Sequence, residues 1–420
     1  PACLRQTWRV GIAAAVVFVA LLLAALTAVA PMRWIPLSAV AFTVGFPAGE
    51  LAGQLLAVTL LGALALVILG WPAGPLGVVA LVSAGAAACT YAALLAVGLR
   101  ARTVVARALA SARGLHPAPP PAAPTWSRWW RTCLAYPILS GVRVVRDLPY
   151  ADDDDPAHRL DVVTPRDAVT GAPVLVFVHG GAWVFGSKRR QGLPMLYELA
   201  SRGWVCVTCN YRLSPRATWP DHEVDVRRAI QWARANATAF GGDPDRFLAV
   251  AGNSAGGHLA ALAALAPDEP AWQPGSEEVG ARVDACVSLY GVLEMTGDPE
   301  LAGGQGRALV SLLRRSVMKA PLGEARETYE SASPIHRITA DAPPFLVLHG
   351  TRDTLVPVAV ARAFVDAFAR AATAPIGYVE LPWAQHAFDV LCSPRCTAAV
   401  WGVAEFLEAL VAARAARPAS

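Results

Sequence analysis

A nucleophile, a base and an acid, each set behind its own apolar run, are the residues of this chain that could do chemistry, and that chemistry would be acyl transfer. The nucleophile is signalled by Gly252-Asn253-Ser254-Ala255-Gly256, which follows the apolar run Phe247–Ala251 and opens the small-residue, helix-compatible stretch Gly257–Leu262. A strand that turns sharply into a helix at a serine strains the serine backbone and lifts its hydroxyl above the sheet. Residues packed beside such a turn must be small, and Gly252 and Gly256 meet that need. A serine hydroxyl is a poor nucleophile near neutral pH, so it requires a base. His386, in Trp383–Phe388 after Leu381-Pro382, is the best base, and Asp353, in the loop His349–Pro357 after the apolar run Phe345–Leu348, is the best acid.

A developing oxyanion would need N–H donors. Paired glycines in His179-Gly180-Gly181-Ala182-Trp183 free the backbone of side-chain obstruction, so Gly180, Gly181 and Ala182, with Ala255 after the serine, are the expected donors. In this scheme His386 takes the serine proton, Asp353 fixes the imidazole tautomer, an acyl-enzyme forms, and His386 then activates water to release it.

The other histidines fit less well. His179 is expected to organise the glycine loop, His258 to point sideways from the helix after the serine, and His349 to make structural contacts, while His116, His158, His222 and His336 follow no strand. Asp389 is too near His386 in sequence to be the preferred orienting acid. Cys206 and Cys209 lie three apart within a strand pattern, so they point to opposite faces and read as core. Cys392 and Cys396 flank a loop-like stretch, where a disulfide is one reading in an oxidising compartment. No His/Cys spacing suggests a metal site, and no cofactor is expected. The net charge of +4 on 420 residues, with arginines not interleaved with aromatics, implies no nucleic-acid partner.

Elements must hold these residues together. Val142–Val145 and Leu160–Val163 read as an antiparallel start, and Val174–Val178, Val205–Tyr211, Phe247–Ala251, Ala285–Tyr290, Phe345–Leu348 and Gly377–Leu381 as further strands. Helical patterns cover Asp221–Phe240 and Ala398–Ala413. Alternation of this kind predicts an α/β fold, a mostly parallel sheet with helices on both faces, with the chemistry beyond the carboxyl ends of the strands. Residues 292–340 interrupt the pattern and are expected to form a lid or cap, with Leu309–Met318 amphipathic within it. Trp183, Trp219 and Leu355 are placed either as pocket liners or as core.

The first hundred residues differ in kind. Val10–Ala30, Leu51–Gly70 and Leu76–Gly98 are long enough to cross a bilayer, whereas Ile35–Phe46 is apolar but short and reads as a re-entrant piece, a loop or part of a tilted helix. Trp8, Trp34 and Trp71 stand at the ends of these runs. Arg5 and Arg9 favour a cytoplasmic N-terminus, and Arg100, Arg102, Arg107 and Arg113 a cytoplasmic catalytic domain. Three crossings cannot satisfy both, so the sidedness stays open. The expected organisation is therefore a multi-pass membrane region over 1–100 with about three spans, an Arg- and Pro-rich linker over 101–125 (with Pro117–Pro124 at its end), and a catalytic domain over 126–420. Trp126, Trp129 and Trp130, with Arg128 and Arg131, read either as a lipid-surface contact or as packing on that domain.

With these motifs in place, the chain resembles the hormone-sensitive-lipase-like branch of the α/β-hydrolases, over about residues 140–415. The resemblance rests on His179–Trp183, Tyr211-Arg212-Leu213-Ser214-Pro215, Gly241-Gly242-Asp243-Pro244-Asp245-Arg246, Gly252–Gly257, Ser333-Pro334, and Asp353 with His386. The order serine, aspartate, histidine is the one that family uses. Ala182 followed by Trp183 departs from the frequent third glycine and is also similar to kynurenine formamidases and prenylcysteine methylesterases; Asn253 and Arg216 stand where acidic residues are frequent. The resemblance implies a carboxylesterase or lipase without metal or organic cofactor; the membrane segments favour a small-molecule or lipid-like ester as substrate, met beside membrane lipid. An amide, formamide or prenylcysteine-type ester hydrolase is the alternative. A silent binding module would require loss of Ser254, Asp353 or His386, and all three are present.

Overall fold

The computed structural model describes residues 2–31, 35–70, 74–112, 141–275 and 280–416, with the side chains of 2–9, 35 and 36 outside the description. Cys3, Arg5, Trp8, Arg9, Trp34, Trp71, Arg113, His116, the Pro117–Pro124 stretch, the Trp126–Arg131 cluster and Cys133 therefore lie outside the described side chains.

Eight strands make one sheet: β1 (Val142–Pro149), β2 (Arg159–Pro165), β3 (Val174–Val178), β4 (Val205–Cys209), β5 (Leu248–Asn253), β6 (Ala285–Leu289), β7 (Phe345–Gly350) and β8 (Ile376–Leu381). Their order is β1-β2-β4-β3-β5-β6-β7-β8. β1 and β2 pair antiparallel, with Val144 opposite Val163, and β2 pairs antiparallel with β4. From β4 to β8 the pairing is parallel. A parallel sheet is covered on both faces, so its central strands can be apolar throughout. Every residue of β3, β4, β5 and β6 is buried.

The pleat sends alternate residues into two cores. Val174, Val176 and Val178 face one, and Leu175 and Phe177 the other. Cys209 joins the first core and Cys206 the second, on opposite faces as the spacing requires. The helices α5 (Leu193–Ser201), α6 (Asp221–Asn236), α7 (Ala255–Leu265), α10 (Val358–Ala371) and α11 (Pro394–Ala415) cover the sheet. α6, α7 and α10 lie on the first core, α5 and α11 on the second. Neither α5 nor α10 stands out in the sequence, where each is an amphipathic segment inside a longer inter-strand stretch. Residues 292–340 hold α8 (Pro299–Leu312), a π-helical turn at Leu313–Val317, α9 (Arg326–Ser331) and a 3-10 turn at Pro334–Arg337.

Ahead of the sheet stand α1 (Ala2–Val29), α2 (Ile35–Glu50), α3 (Ala52–Ile68) and α4 (Pro75–Ser111). Val10–Val29 and Pro75–Ser111 are long and apolar enough to cross a membrane; α2 and α3 meet that test only as a pair, bent by 80°. α11 also meets it, but 67% of its apolar window is buried, so its hydrophobicity belongs to the core beneath it. α4 continues through Arg100, Arg102 and Arg107 to Ser111, where a linker was expected from residue 101. The cause is a second, internal stripe. Ala101, Val105 and Leu109 recur every four residues, share one face, and are buried in the second core. The Arg102 guanidinium stacks on Trp401 of α11 at 5.1 Å. The last turns of α4 thus pack as part of the α/β domain.

Candidate active site

β5 ends at Asn253 and α7 starts at Ala255, so Ser254 alone makes the turn. Its backbone sits at φ 54°, ψ −122°, a conformation that L residues rarely hold. The turn leaves no room around it. A Cβ on Gly252 would lie 2.2 Å from the Gly256 carbonyl oxygen, and one on Gly256 would lie 2.1 Å from that of Val178.

β7 delivers Asp353 and β8 delivers His386 to the same edge. His386 Nδ1 is 2.7 Å from Asp353 Oδ2, and His386 Nε2 is 2.9 Å from Ser254 Oγ. The other Asp353 oxygen accepts the N–H groups of Leu355 and Val356, both at 2.8 Å. Burial alone would raise the Asp353 carboxyl; the facing His386 and the bonds from His349 and His386 outweigh it and hold the group well below the usual carboxylate range. Gln385 Oε1 accepts from Thr354 N at 2.7 Å and His386 N at 2.9 Å, which fastens the acid loop to the base loop. The structure therefore brings Ser254, His386 and Asp353 together. With the carboxylate holding Nδ1–H, Nε2 presents its lone pair to the serine hydroxyl, the arrangement that removes a proton during nucleophilic attack.

The expected oxyanion donors divide. Gly180 N–H is engaged, donating to Asn253 Oδ1 at 2.7 Å and Gln191 Oε1 at 2.8 Å, which corrects its place among the donors. The N–H groups of Gly181, Ala182 and Ala255 have no acceptor among the described residues. Gly181 at φ 125° and Ala182 at φ 52° turn the loop back on itself, and Phe185 N closes it onto the Gly181 carbonyl at 3.0 Å.

His179, His258 and His349 make structural contacts. His179 Nδ1 donates to the Gly180 carbonyl at 2.8 Å, and the ring stacks on Tyr211 at 4.5 Å; burial lowers it to about 4. His258 accepts from the Trp183 indole and donates to the Ala332 carbonyl, and burial lowers it to about 3. His349 donates to the Val356 carbonyl at 3.0 Å beside Asp353. Trp183 and Trp219 are core residues, packed on His258, whereas Leu355 is exposed. Cys392 and Cys396 are both free thiols, with the Cys396 sulfur near the Asp389 carbonyl instead.

Behind the three residues lies a buried polar cluster that no motif in the sequence signals. Asn253 Nδ2 donates to Tyr290 Oη at 3.0 Å and to Asp389 Oδ2 at 3.2 Å, and Tyr290 Oη donates to Asp389 Oδ1. Burial raises the Asp389 carboxyl against these bonds. The Tyr290 ring lies 4.4 Å from that of His386. Asn253 so links the Gly180 loop to the loop that carries His386, and its side chain, unlike the acidic residue frequent there, can donate to Asp389. Asn253→Leu leaves Gln191 to accept from Gly180 but strands one buried Asp389 oxygen. The expected cost is about 2 kcal/mol of stability, with kcat falling more than KM rises; thermal unfolding and steady-state kinetics on an ester check both.

Residues 160–368 match the BD-FAE family model. The fold is that of the α/β-hydrolases. A truncated carbohydrate esterase from gut microbiota superposes with a TM-score of 0.56 at 24% identity, covering 64% of this chain and 96% of that one. The α/β-hydrolase domain is also 47% identical over 278 residues to the probable carboxylic ester hydrolase LipM of Mycobacterium tuberculosis, covering 64% of this chain and 63% of LipM. It is 29% identical over 252 residues to the isoprenylcysteine alpha-carbonyl methylesterase ICME of Arabidopsis thaliana, covering 56% of this chain and 54% of ICME. The chain thus spans less than two thirds of the length of these curated relatives.

Proposed function

We propose that the protein is a membrane-anchored carboxylic ester hydrolase that acts through Ser254, His386 and Asp353. The observation that carries this reading is the continuous line from Asp353 Oδ2 to His386 Nδ1 at 2.7 Å and from His386 Nε2 to Ser254 Oγ at 2.9 Å. Ser254 attacks the ester carbonyl as His386 takes its proton. The N–H groups of Gly181, Ala182 and Ala255 receive the oxyanion. Collapse expels the alcohol, which takes the proton from His386, and leaves an acyl-serine. Water, deprotonated by His386, then releases the acid. Anchoring is supported by large apolar side chains that face outward on the first four helices, among them Val16 at 62%, Leu61 at 66% and Ile68 at 74% exposure. In water such a surface would associate, whereas in a bilayer it is solvated.

The likeness to ICME supports a second reading, a methylesterase for prenylated cysteine. Purified protein should be labelled by a fluorophosphonate at Ser254 and hydrolyse nitrophenyl acyl esters faster than formyl amides. Labelling at another residue, or faster turnover of formamides, overturns the proposal; preference for a prenylcysteine methyl ester over acyl esters selects the second reading.

A further inference from the structure

Helix α2 lies against the catalytic residues. The Ser38 carbonyl accepts from Thr354 Oγ1 at 3.2 Å, one residue beyond Asp353. One turn on, the Phe42 ring meets His386 edge-on, centroid to centroid 6.0 Å, and stacks on Phe46 at 5.7 Å. At the far end the Gly49 carbonyl accepts from Arg395. Ser38, Phe42 and Phe46 recur every four residues, so they form one stripe. It runs along about 12 Å of helix, counted from Ser38 to Phe46, and meets the active site at Ser38 and Phe42.

The opposite stripe is exposed, and it too is apolar apart from a threonine: Ala39, Val40, Thr43 and Val44. The Thr43 hydroxyl is satisfied within the helix, on the Ala39 carbonyl at 2.8 Å. A helix apolar on both faces is solvated by protein on one side and by hydrocarbon on the other.

A second observation agrees. Among the described residues, the exposed large hydrophobic side chains all lie on α1–α4 or, for Leu69, at the C-terminal cap of α3, except Phe185 and Leu355. Phe185 belongs to the loop of Gly181 and Ala182, and Leu355 follows Asp353 by two residues. The α/β domain thus exposes its bulky apolar side chains beside its catalytic groups, next to a helix whose outer face is apolar.

We infer that the mouth of the active site opens at the bilayer, and that its substrate is a membrane-resident ester whose hydrocarbon chain lies against Phe42 of α2. The chain passes from the acyl layer along α2 to Ser254 without crossing water. Phe42 is then a specificity-determining residue, selecting long chains over short ones.

This inference rests on the ester hydrolase reading and is tested apart from it. The full chain is reconstituted in phosphatidylcholine vesicles and assayed on nitrophenyl esters from acetyl to dodecanoyl. The wild type should prefer dodecanoyl. Phe42→Ala should lower the dodecanoyl-to-acetyl ratio of kcat/KM by about tenfold, the size expected for loss of part of an apolar wall. Phe42→Trp keeps the packing on His386, narrows the path, and should shift the optimum to shorter chains. A ratio within twofold of wild type in both variants, or a wild type that prefers acetyl ester, overturns the inference while fluorophosphonate labelling of Ser254 leaves the hydrolase reading standing. Loss of that labelling in the wild type overturns both.

Discussion

Ser254→Ala should reduce kcat for ester hydrolysis on the order of 10⁵-fold and leave the fold intact. The fold survives because the substitution removes one oxygen and nothing else. Alanine meets the same strain as serine at φ 54°, and Gly252 and Gly256 keep their clearance. Among the described residues, the side-chain bond lost is the one to His386 Nε2. The rate falls because no other hydroxyl stands within reach of that nitrogen among the described residues, so the acyl-enzyme cannot form. His386→Ala should cost a similar factor, and the double variant no more than either alone, since the two act as one unit. Asp353→Asn should cost about 10⁴-fold, because an amide facing Nδ1 favours the wrong tautomer. Steady-state turnover of a nitrophenyl ester reads the rates, and circular dichroism reads the fold. Turnover of Ser254→Ala within tenfold of wild type would sink the assignment.

Ser254, Asp353 and His386 were legible in the sequence because their position depends on local order. Each follows an apolar run, each run is a strand, and a parallel sheet brings all its carboxyl ends to one edge. The central strands β3 to β7 were readable for the same reason, as runs buried on both faces, and β1, β2 and β8 as runs with polar residues interleaved. What escaped depends on contacts between distant segments. Asn253 was visible only as a departure from an acidic residue. That it donates to Asp389, 136 residues away, needed the fold. The Gly180 N–H looked free for an oxyanion, and the Asn253 and Gln191 side chains claim it. Helix α2 was ambiguous because Pro47 and Glu50 interrupt an apolar run too short to span a membrane. Its role follows from Phe42 meeting His386, a pairing no periodicity encodes. α4 hid its last turns behind arginines, although Ala101, Val105 and Leu109 already carried the four-residue repeat of a buried stripe.

The join between the apolar helices and the α/β domain should fail when Arg395 is lost. Arg395 is 2% exposed and donates to the carbonyls of Gly49, Leu94 and Pro382, so one guanidinium ties α2 and α4 to the start of the loop that carries His386. Its carboxylate partner is Glu50, 3% exposed, whose Oε1 is 3.4 Å from Arg395 and whose Oε2 accepts from Ser393. Arg395→Met preserves most of the volume but leaves the Glu50 charge buried with the Ser393 hydroxyl as its remaining side-chain partner. Breaking a buried pair on one side costs about 3–5 kcal/mol, whereas replacing both partners by apolar residues is often close to neutral. The single variant should therefore loosen α2 from the α/β domain, raise protease cleavage between them, and lower turnover of long-chain esters as the Phe42 contact with His386 opens. Arg395→Met combined with Glu50→Met should recover most of the loss in both readouts. If instead the double variant were as labile as the single, the carbonyl bonds of Arg395, and not its charge on Glu50, would be what holds α2 in place.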